Sequence, residues 1–153
     1  MSIRIRPVLT TALLLVTSRA VAAQSFTPAA TTLGTMKIIT AVAGSNPTSV
    51  QQTSTKYTLV TKKNKGITRV TAQLSAPLPA GVTLTVTLPA PATPANTIVG
   101  GTVSLTTAPQ NVLTNLPDAT TTFTATTITY VLSATPAAAP FTLNNLVVTF
   151  TLQ

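Results

Sequence analysis

Side chains that could carry out acid–base, nucleophilic or metal chemistry are almost absent from this chain. Its 153 residues include no His, no Cys and a single carboxylate, Asp118. A Ser or Cys nucleophile activated by His is therefore excluded, as is glycoside hydrolysis by paired carboxylates. Zn²⁺ would have no His or Cys ligand, and Ca²⁺ would depend on Asp118 with neutral oxygens of Asn115 or Thr121. The inventory predicts a protein that is not an enzyme and that holds no cofactor or metal.

The positive charges, by contrast, are clustered. Five basic residues lie within 14 positions of one another, and three of them surround a predicted turn: Lys56, Lys62, Lys63, Lys65 and Arg69. Such a cluster projects a positive potential that can bind an acidic polymer. The alternative is that lysines on an exposed hairpin keep it soluble and block edge-to-edge pairing of strands. The scarcity of aromatic residues nearby favours the alternative, because nucleic-acid surfaces usually add stacking rings.

The N-terminus has the features of a cleaved signal peptide. Arg4 and Arg6 precede an apolar run at residues 8–16, and small residues follow at 20–23. A membrane anchor is the alternative, but the run is about half the ~20 apolar residues that span a bilayer. We therefore predict that residues 1–23 are removed and that the mature chain is secreted, periplasmic or at the cell surface, with no membrane span.

Residues 24–153 have the length of one domain. Six basic residues and Asp118 give this part a side-chain charge of +5, and the absence of Cys means that no disulfide supports it. Roughly a quarter of the whole chain is Thr, and 12 Pro are spread along it. Thr is favoured in strands and Pro interrupts helices, so the composition predicts an all-β fold.

Alternating apolar residues predict two strands directly. The segments 82–88 and 146–152 each place apolar side chains at every second position, which is the pattern of a strand with one buried face. Weaker patterns predict strands within 36–42, 97–106 and 120–133. The apolar phase shifts inside the last of these, which indicates a β-bulge or a strand that changes sheets.

Residues 56–74 are predicted to form a hairpin around the turn 62–66, in which Asn64 and Gly66 suit a left-handed backbone. The Pro-rich stretches are predicted loops, and Gly100-Gly101 is interpreted as a strand kink or a bulge. Residues 115–118 are interpreted as a turn in which Asp118 bonds nearby backbone. We expect a two-layer antiparallel immunoglobulin-like β-sandwich of about seven strands. Its predicted inward side chains are Tyr57, Leu59, Val70, Leu74, Val82, Leu84, Val86, Leu88, Ile128, Tyr130, Val148 and Phe150.

The last strand also suggests a mode of association. Its outward residues Val147, Thr149 and Thr151 carry no charge and no proline, so an open edge there could accept a neighbouring strand. With its signal peptide, Thr-rich sandwich pattern and alternating segment 146–152, the chain resembles bacterial secreted immunoglobulin-like and pilin-like subunits. That resemblance implies a homo-oligomer or surface assembly formed through the C-terminal strand.

These observations predict an exported, non-enzymatic structural or surface-interaction subunit of pilin-like or adhesin-like character. The alternative is a secreted module that binds an anionic polysaccharide or another polyanion through the basic hairpin. The two hypotheses differ in the expected effect of salt, because strand pairing is weakly screened whereas polyanion binding falls steeply as salt rises.

Overall fold

The computed structural model describes residues 23–38, 45–91 and 98–153, with side chains described at all of these except 54, 55 and 124–126. Within these ranges the chain is all-β, and no helix long and apolar enough to cross a membrane is found there. The described ranges contain eleven strands: β1 (Ser25–Thr27), β2 (Ala30–Thr32), β3 (Met36–Ile38), β4 (Val50–Thr61), β5 (Arg69–Leu74), β6 (Val82–Leu88), β7 (Val99–Ser104), β8 (Gln110–Thr114), β9 (Thr121–Ala134), β10 (Phe141–Leu143) and β11 (Val147–Leu152).

Nine of these strands form one antiparallel sheet, and β3 and β10 pair separately. The order across the large sheet is β1-β4-β9-β6-β7-β8-β5-β11-β2. The sheet curls around one core and is nearly barrel-shaped on the side that contains β4, β9 and β6. The prediction of an antiparallel all-β fold is confirmed. The expectation of about seven strands in an immunoglobulin-like sandwich is not, because the short N-terminal strands β1 and β2 extend the sheet at both of its ends.

Two adjacent glycines allow β7 to join the two halves of the large sheet. One half contains β1, β4, β9 and β6, and the other contains β8, β5, β11 and β2. Gly100 pairs with Leu113 of β8, whereas Gly101 pairs with Leu88 of β6. A Cβ on Gly100 would overlap the backbone of Leu88 and Ala90, so only glycine allows this close approach. The predicted kink at Gly100-Gly101 is thus the point at which the strand changes partners.

The N-terminal segment lies beside both ends of the large sheet. β1 pairs with β4, and β2 pairs with β11 at the opposite end of the strand order. The Phe26 ring stacks on Tyr57 at 5.2 Å between centroids and lies 5.0 Å from Phe150. Between the two short strands, Ala29 O accepts a hydrogen bond from Phe150 N at 2.8 Å. Residues 25–32 therefore bring the two ends of the sheet together.

The core contains the side chains that period-2 alternation predicts. Leu84, Val86 and Leu88 are fully buried, while Thr83, the residue before Leu84, is exposed. All twelve predicted inward residues are buried except Val82, which is half-buried. Burying a large apolar side chain contributes roughly 1.5–3 kcal/mol, so this single core is the main source of stability.

The phase shift in β9 is a bulge, as the sequence predicts. Opposite β4, the register skips one residue of β9 between Thr126 and Thr124. A second irregularity lies between Thr53 and Lys56 of β4. The bulge lets Phe123 and Ile128 both face the core although they are five positions apart.

Within the described part of the chain, the hydroxyl groups of Thr31 and Tyr130 are buried in this core without a hydrogen-bond partner. Burial raises the pKa of the Tyr130 phenol above its usual value of 10.0, and the neighbouring Thr31 hydroxyl acts weakly in the opposite direction. Thr31 lies next to this phenol, but neither hydroxyl has a hydrogen-bond partner among the described residues. A buried hydroxyl without a partner destabilises the fold.

The predicted hairpin at residues 56–74 is wrong. β4 pairs with β1 and β9, and β5 pairs with β8 and β11, so the two strands do not pair with each other. Both put apolar side chains into the same core, Tyr57 and Leu59 from one half and Val70 from the other. Residues 62–68 therefore cross from one half of the sheet to the other. Alternation identifies the buried face of a strand but not its partner, and crossing strands share the pattern of a hairpin.

Candidate anion-binding site

The crossing at residues 62–68 carries three of the clustered lysines, and its shape depends on two residues in the left-handed region. Asn64 has φ 61° and Gly66 has φ 67°. Glycine adopts such values at no steric cost, and asparagine tolerates them better than most residues. The prediction of a left-handed glycine at position 66 is confirmed, within a crossing rather than within a hairpin turn.

The loop that precedes β9 holds one side of this crossing. Asp118 Oδ1 accepts a hydrogen bond from the backbone N of Asn64 at 2.5 Å. Next to it, Thr61 Oγ1 donates to Ala119 O at 2.7 Å. The only acidic side chain of the sequence thus supports the turn that presents the lysines. The interpretation of residues 115–118 as a turn region holds, but Asp118 bonds backbone 54 positions away rather than nearby backbone.

The end of β11 holds the other side. Gln153 O accepts hydrogen bonds from Thr68 N at 2.7 Å and from Arg69 N at 2.8 Å. Leu116 N donates to Thr68 O at 3.0 Å, which joins the crossing to the same loop that contains Asp118. Hydrogen bonds to its main chain therefore support the crossing at both ends, from side chains near Asn64 and from backbone near Thr68.

An open cleft of about 650 Å³ lies beside the crossing, and we call it the lysine cleft. Lys63 and Lys65 are exposed and Lys62 is half-buried. The volume lies within the usual range of small-molecule sites, roughly 300–1,000 Å³. Its lining consists of Ala23, Gln24, Lys62, Lys63, Lys65, Ile67, Thr120 and Leu152.

The lysine cleft carries positive charge because three lysines and no acidic side chain belong to its described lining. Asp118 lies outside this lining, with one carboxylate oxygen bonded to the crossing itself. A concave surface with charges of one sign concentrates the local field and attracts counter-ions. Anionic groups of a ligand are the chemical match for this arrangement.

The other two clustered cations lie outside the lysine cleft. Lys56 is an exposed residue in the middle of β4, six positions before Lys62. The Arg69 guanidinium donates from Nε to Gln153 Oε1 at 3.3 Å. The structure therefore brings together Lys62, Lys63 and Lys65 from the predicted polyanion set and leaves Lys56 and Arg69 apart from them.

The C-terminal strand does not offer the predicted open edge. Thr149 of β11 pairs with Gln73 of β5 on one side and with Ala30 of β2 on the other, and Val147 also pairs with β2. The expectation of a free edge is therefore wrong for Val147 and Thr149, whereas Thr151 pairs with Thr71 of β5 and lies beyond the residues that pair with β2. The physical reason is that the chain's own residues 30–32 occupy the position that a neighbouring subunit would need.

A second cleft, of about 380 Å³, lies at the other end of the long strands. Its lining is uncharged and includes the hydroxyls of Ser49, Thr83, Ser133 and Thr135. β4 and β9 run from this cleft to the lysine cleft, so the two openings lie at opposite ends of the same pair of strands.

Sequence reasoning missed the apolar contribution of Ile67 and Leu152 to the lysine cleft, as well as the role of Asp118. Leu152 lies far from the lysines along the chain, and only the pairing of β11 with β5 brings it near them. The isolation of Asp118 as the only carboxylate was the available signal for its structural role. No protein-family model, no curated protein and no solved structure matches this chain.

Proposed function

We propose that this protein is an exported, non-enzymatic surface-interaction module that binds an acidic polysaccharide or a similar polyanion in the lysine cleft. The observation that carries the proposal is the convergence of Lys62, Lys63 and Lys65 on one cleft without a carboxylate in its lining. Export is proposed from the signal-peptide pattern of residues 1–23. The finer description of the domain as an immunoglobulin-like sandwich is part of the same proposal, supported by antiparallel strands on two sides of one core.

The pilin-like alternative has less support. Assembly by strand addition needs a strand with an unpaired edge, and β11 has neighbours on both sides. The strands at the two ends of the sheet order, β1 and β2, are three residues long, and short edge strands are poor templates for pairing. Polyanion binding is therefore the stronger of the two hypotheses.

The hydrogen-bonded backbone of the crossing supports a binding role for its lysines over a purely solubilising one. Lysines that only solubilise need no ordered backbone. Here the backbone N of Lys63 donates to Thr120 Oγ1 and that of Asn64 donates to Asp118 Oδ1. An ordered backbone lowers the conformational entropy that a binding surface loses when it meets its ligand.

The test compares two variants that lose the same charge. K62Q/K63Q/K65Q removes three cations from the lysine cleft, and K37Q/K56Q/R69Q removes three from outside it. With alginate or heparin as the probe, the first variant should lose most of its affinity and the second should keep it. In a plot of log K against the logarithm of salt concentration, the magnitude of the slope should fall by about one per lysine removed from the cleft. Equal losses of affinity in both variants would show that binding depends only on total charge and would overturn the proposal.

A further inference from the structure

Part of the lysine cleft is apolar, a property that simple attraction of anions does not require. Ile67 and Leu152 both line it and both are half-buried. Lysine side chains add to this character because their methylene stems can lie along an apolar surface while the ammonium stays in water. Ammonium groups and aliphatic surface therefore occupy one concave site.

These two kinds of surface act differently on a ligand. Attraction between exposed charges is screened by salt, over a Debye length of about 3 Å at 1 M. Contact with aliphatic surface is screened little, and each buried methylene raises affinity about fourfold. A ligand that carries only charge leaves Ile67 and Leu152 in contact with water, whereas a ligand with aliphatic groups beside its anions also covers them.

The lining also indicates which type of apolar group on a ligand would fit the cleft. No aromatic side chain lines the lysine cleft, so stacking of a sugar ring on an aromatic face does not operate there. Thr120 and Gln24 are the neutral polar residues of the lining. The surface available to an uncharged part of the ligand is mainly aliphatic.

We infer that the lysine cleft recognises an acidic polysaccharide whose units carry short aliphatic acyl groups. The carboxylates meet Lys62, Lys63 and Lys65, and the acyl chains cover Ile67 and Leu152. This inference rests on the proposed function, because it specifies the ligand of the same site.

The test uses one polymer in two forms: alginate before and after grafting of butyryl esters on its hydroxyls, with all carboxylates intact. At about 1 M salt the butyrylated form should bind the natural sequence at least fourfold more tightly, which is the effect of one buried methylene. Ile67→Asn should bring the ratio of the two affinities close to one, because the acyl groups then lose their aliphatic contact. Val99→Asn is the matched control, because Val99 is an exposed apolar residue outside the cleft, and it should keep the preference.

The possible failures are distinguishable. If both polymer forms bind equally at all salt concentrations, or if Ile67→Asn keeps the preference, the acyl inference is overturned and the proposed function stands. If neither form binds at low salt, the proposed function itself fails. Should Ile67→Asn not fold, methyl NMR of the unaltered protein decides: butyrylated oligomers should shift the Ile67 and Leu152 methyl signals, and plain oligomers should not. Identical shifts with both would overturn the inference.

Discussion

Asp118 accepts a hydrogen bond from the backbone N of Asn64 at 2.5 Å, so the only acidic side chain of the chain supports the segment that carries the lysine cluster. This contact gives the carboxylate an organising role. It joins the loop before β9 to a crossing whose left-handed residues would otherwise have fewer constraints.

Replacing Asp118 by Ala should therefore lower the free energy of unfolding by about 1 kcal/mol, a typical value for one hydrogen bond near the surface. Asp118→Asn should cost less, because its side-chain oxygen still accepts the bond. Urea unfolding of the two variants measures the difference. Equal stability of both variants and the natural sequence would show that the contact contributes nothing to folding.

The two buried tyrosines should respond in opposite ways to loss of their hydroxyl groups. Tyr57 OH donates to Pro89 O at 2.6 Å, whereas Tyr130 OH finds no partner among the residues that the structure describes. Tyr57→Phe leaves a carbonyl without its donor and should cost about 1–2 kcal/mol, while Tyr130→Phe should be neutral or slightly stabilising. Thermal or urea unfolding of both variants, measured together, checks the contrast. A large loss for Tyr130→Phe would mean that its hydroxyl has a partner in solution, such as a bound water.

Stability at high pH should also depend on Tyr130. Burial raises the pKa of this phenol in the folded protein, so the unfolded chain loses the proton first as pH rises above about 10. Between the unfolded and the folded pKa the unfolded state binds fewer protons, and stability must fall with increasing pH. Unfolding free energies from pH 9 to 11.5 should fall less steeply in Tyr130→Phe. Identical slopes in the two proteins would contradict the assigned pKa direction.

The N-terminal strand should be essential to the fold rather than an appendage. Phe26 is buried between Tyr57 and Phe150, so Phe26→Ala should cost about 3–5 kcal/mol. Phe141→Ala is a suitable control because Phe141 is only half-buried on β10, and it should cost clearly less. Denaturant unfolding compares the two. A small effect at Phe26 would show that residues 25–27 do not pack as described.

Processing should leave a new N-terminus beside the lysine cleft. We expect the exported protein to begin at or within about two residues of Gln24, which intact-mass analysis can verify. Gln24 lines the cleft, so its α-ammonium would add a positive charge there. Free α-amino groups titrate near 7.7–8.0, and alginate affinity should then fall as pH rises through that range. An N-acetylated form of the same chain is the control and should show no such fall. Retention of residues 1–23 in exported protein would contradict the prediction.

The sequence indicated which face of a strand is buried but not which strands pair with each other. Tyr57 and Val148 are buried where alternation places them, and Gly66 is left-handed as its position in the turn indicates. Alternation records only which side of a strand meets apolar surroundings, so it could not tell a hairpin at 56–74 from a crossing between sheet halves. The free edge expected for β11 was wrong for a related reason. The three-residue β2 is too short to produce a pattern that reveals its pairing.

The lysine cleft was only partly visible in the sequence. Lys62, Lys63 and Lys65 are neighbours along the chain, and their grouping was evident. Leu152 and Thr120 reach the same cleft through strand pairing and loop contacts over long separations, which composition and local pattern do not encode. The charge of the site was therefore predictable, while its concave shape and its apolar lining were not.

The pairing of β2 with β11 has a consequence for the order of events in folding. Residues 30–32 meet residues 147–149, so one of the earliest segments of the chain pairs with one of the latest. A chain that emerges N-terminus first, from a ribosome or from a translocation pore, cannot form this pair until residue 149 is free. Pairing over such sequence separations also has a large loop-closure entropy and is slow. During that interval Phe26 lacks its contact with Phe150, and its protection from other chains in transit depends on how soon the last strand is delivered.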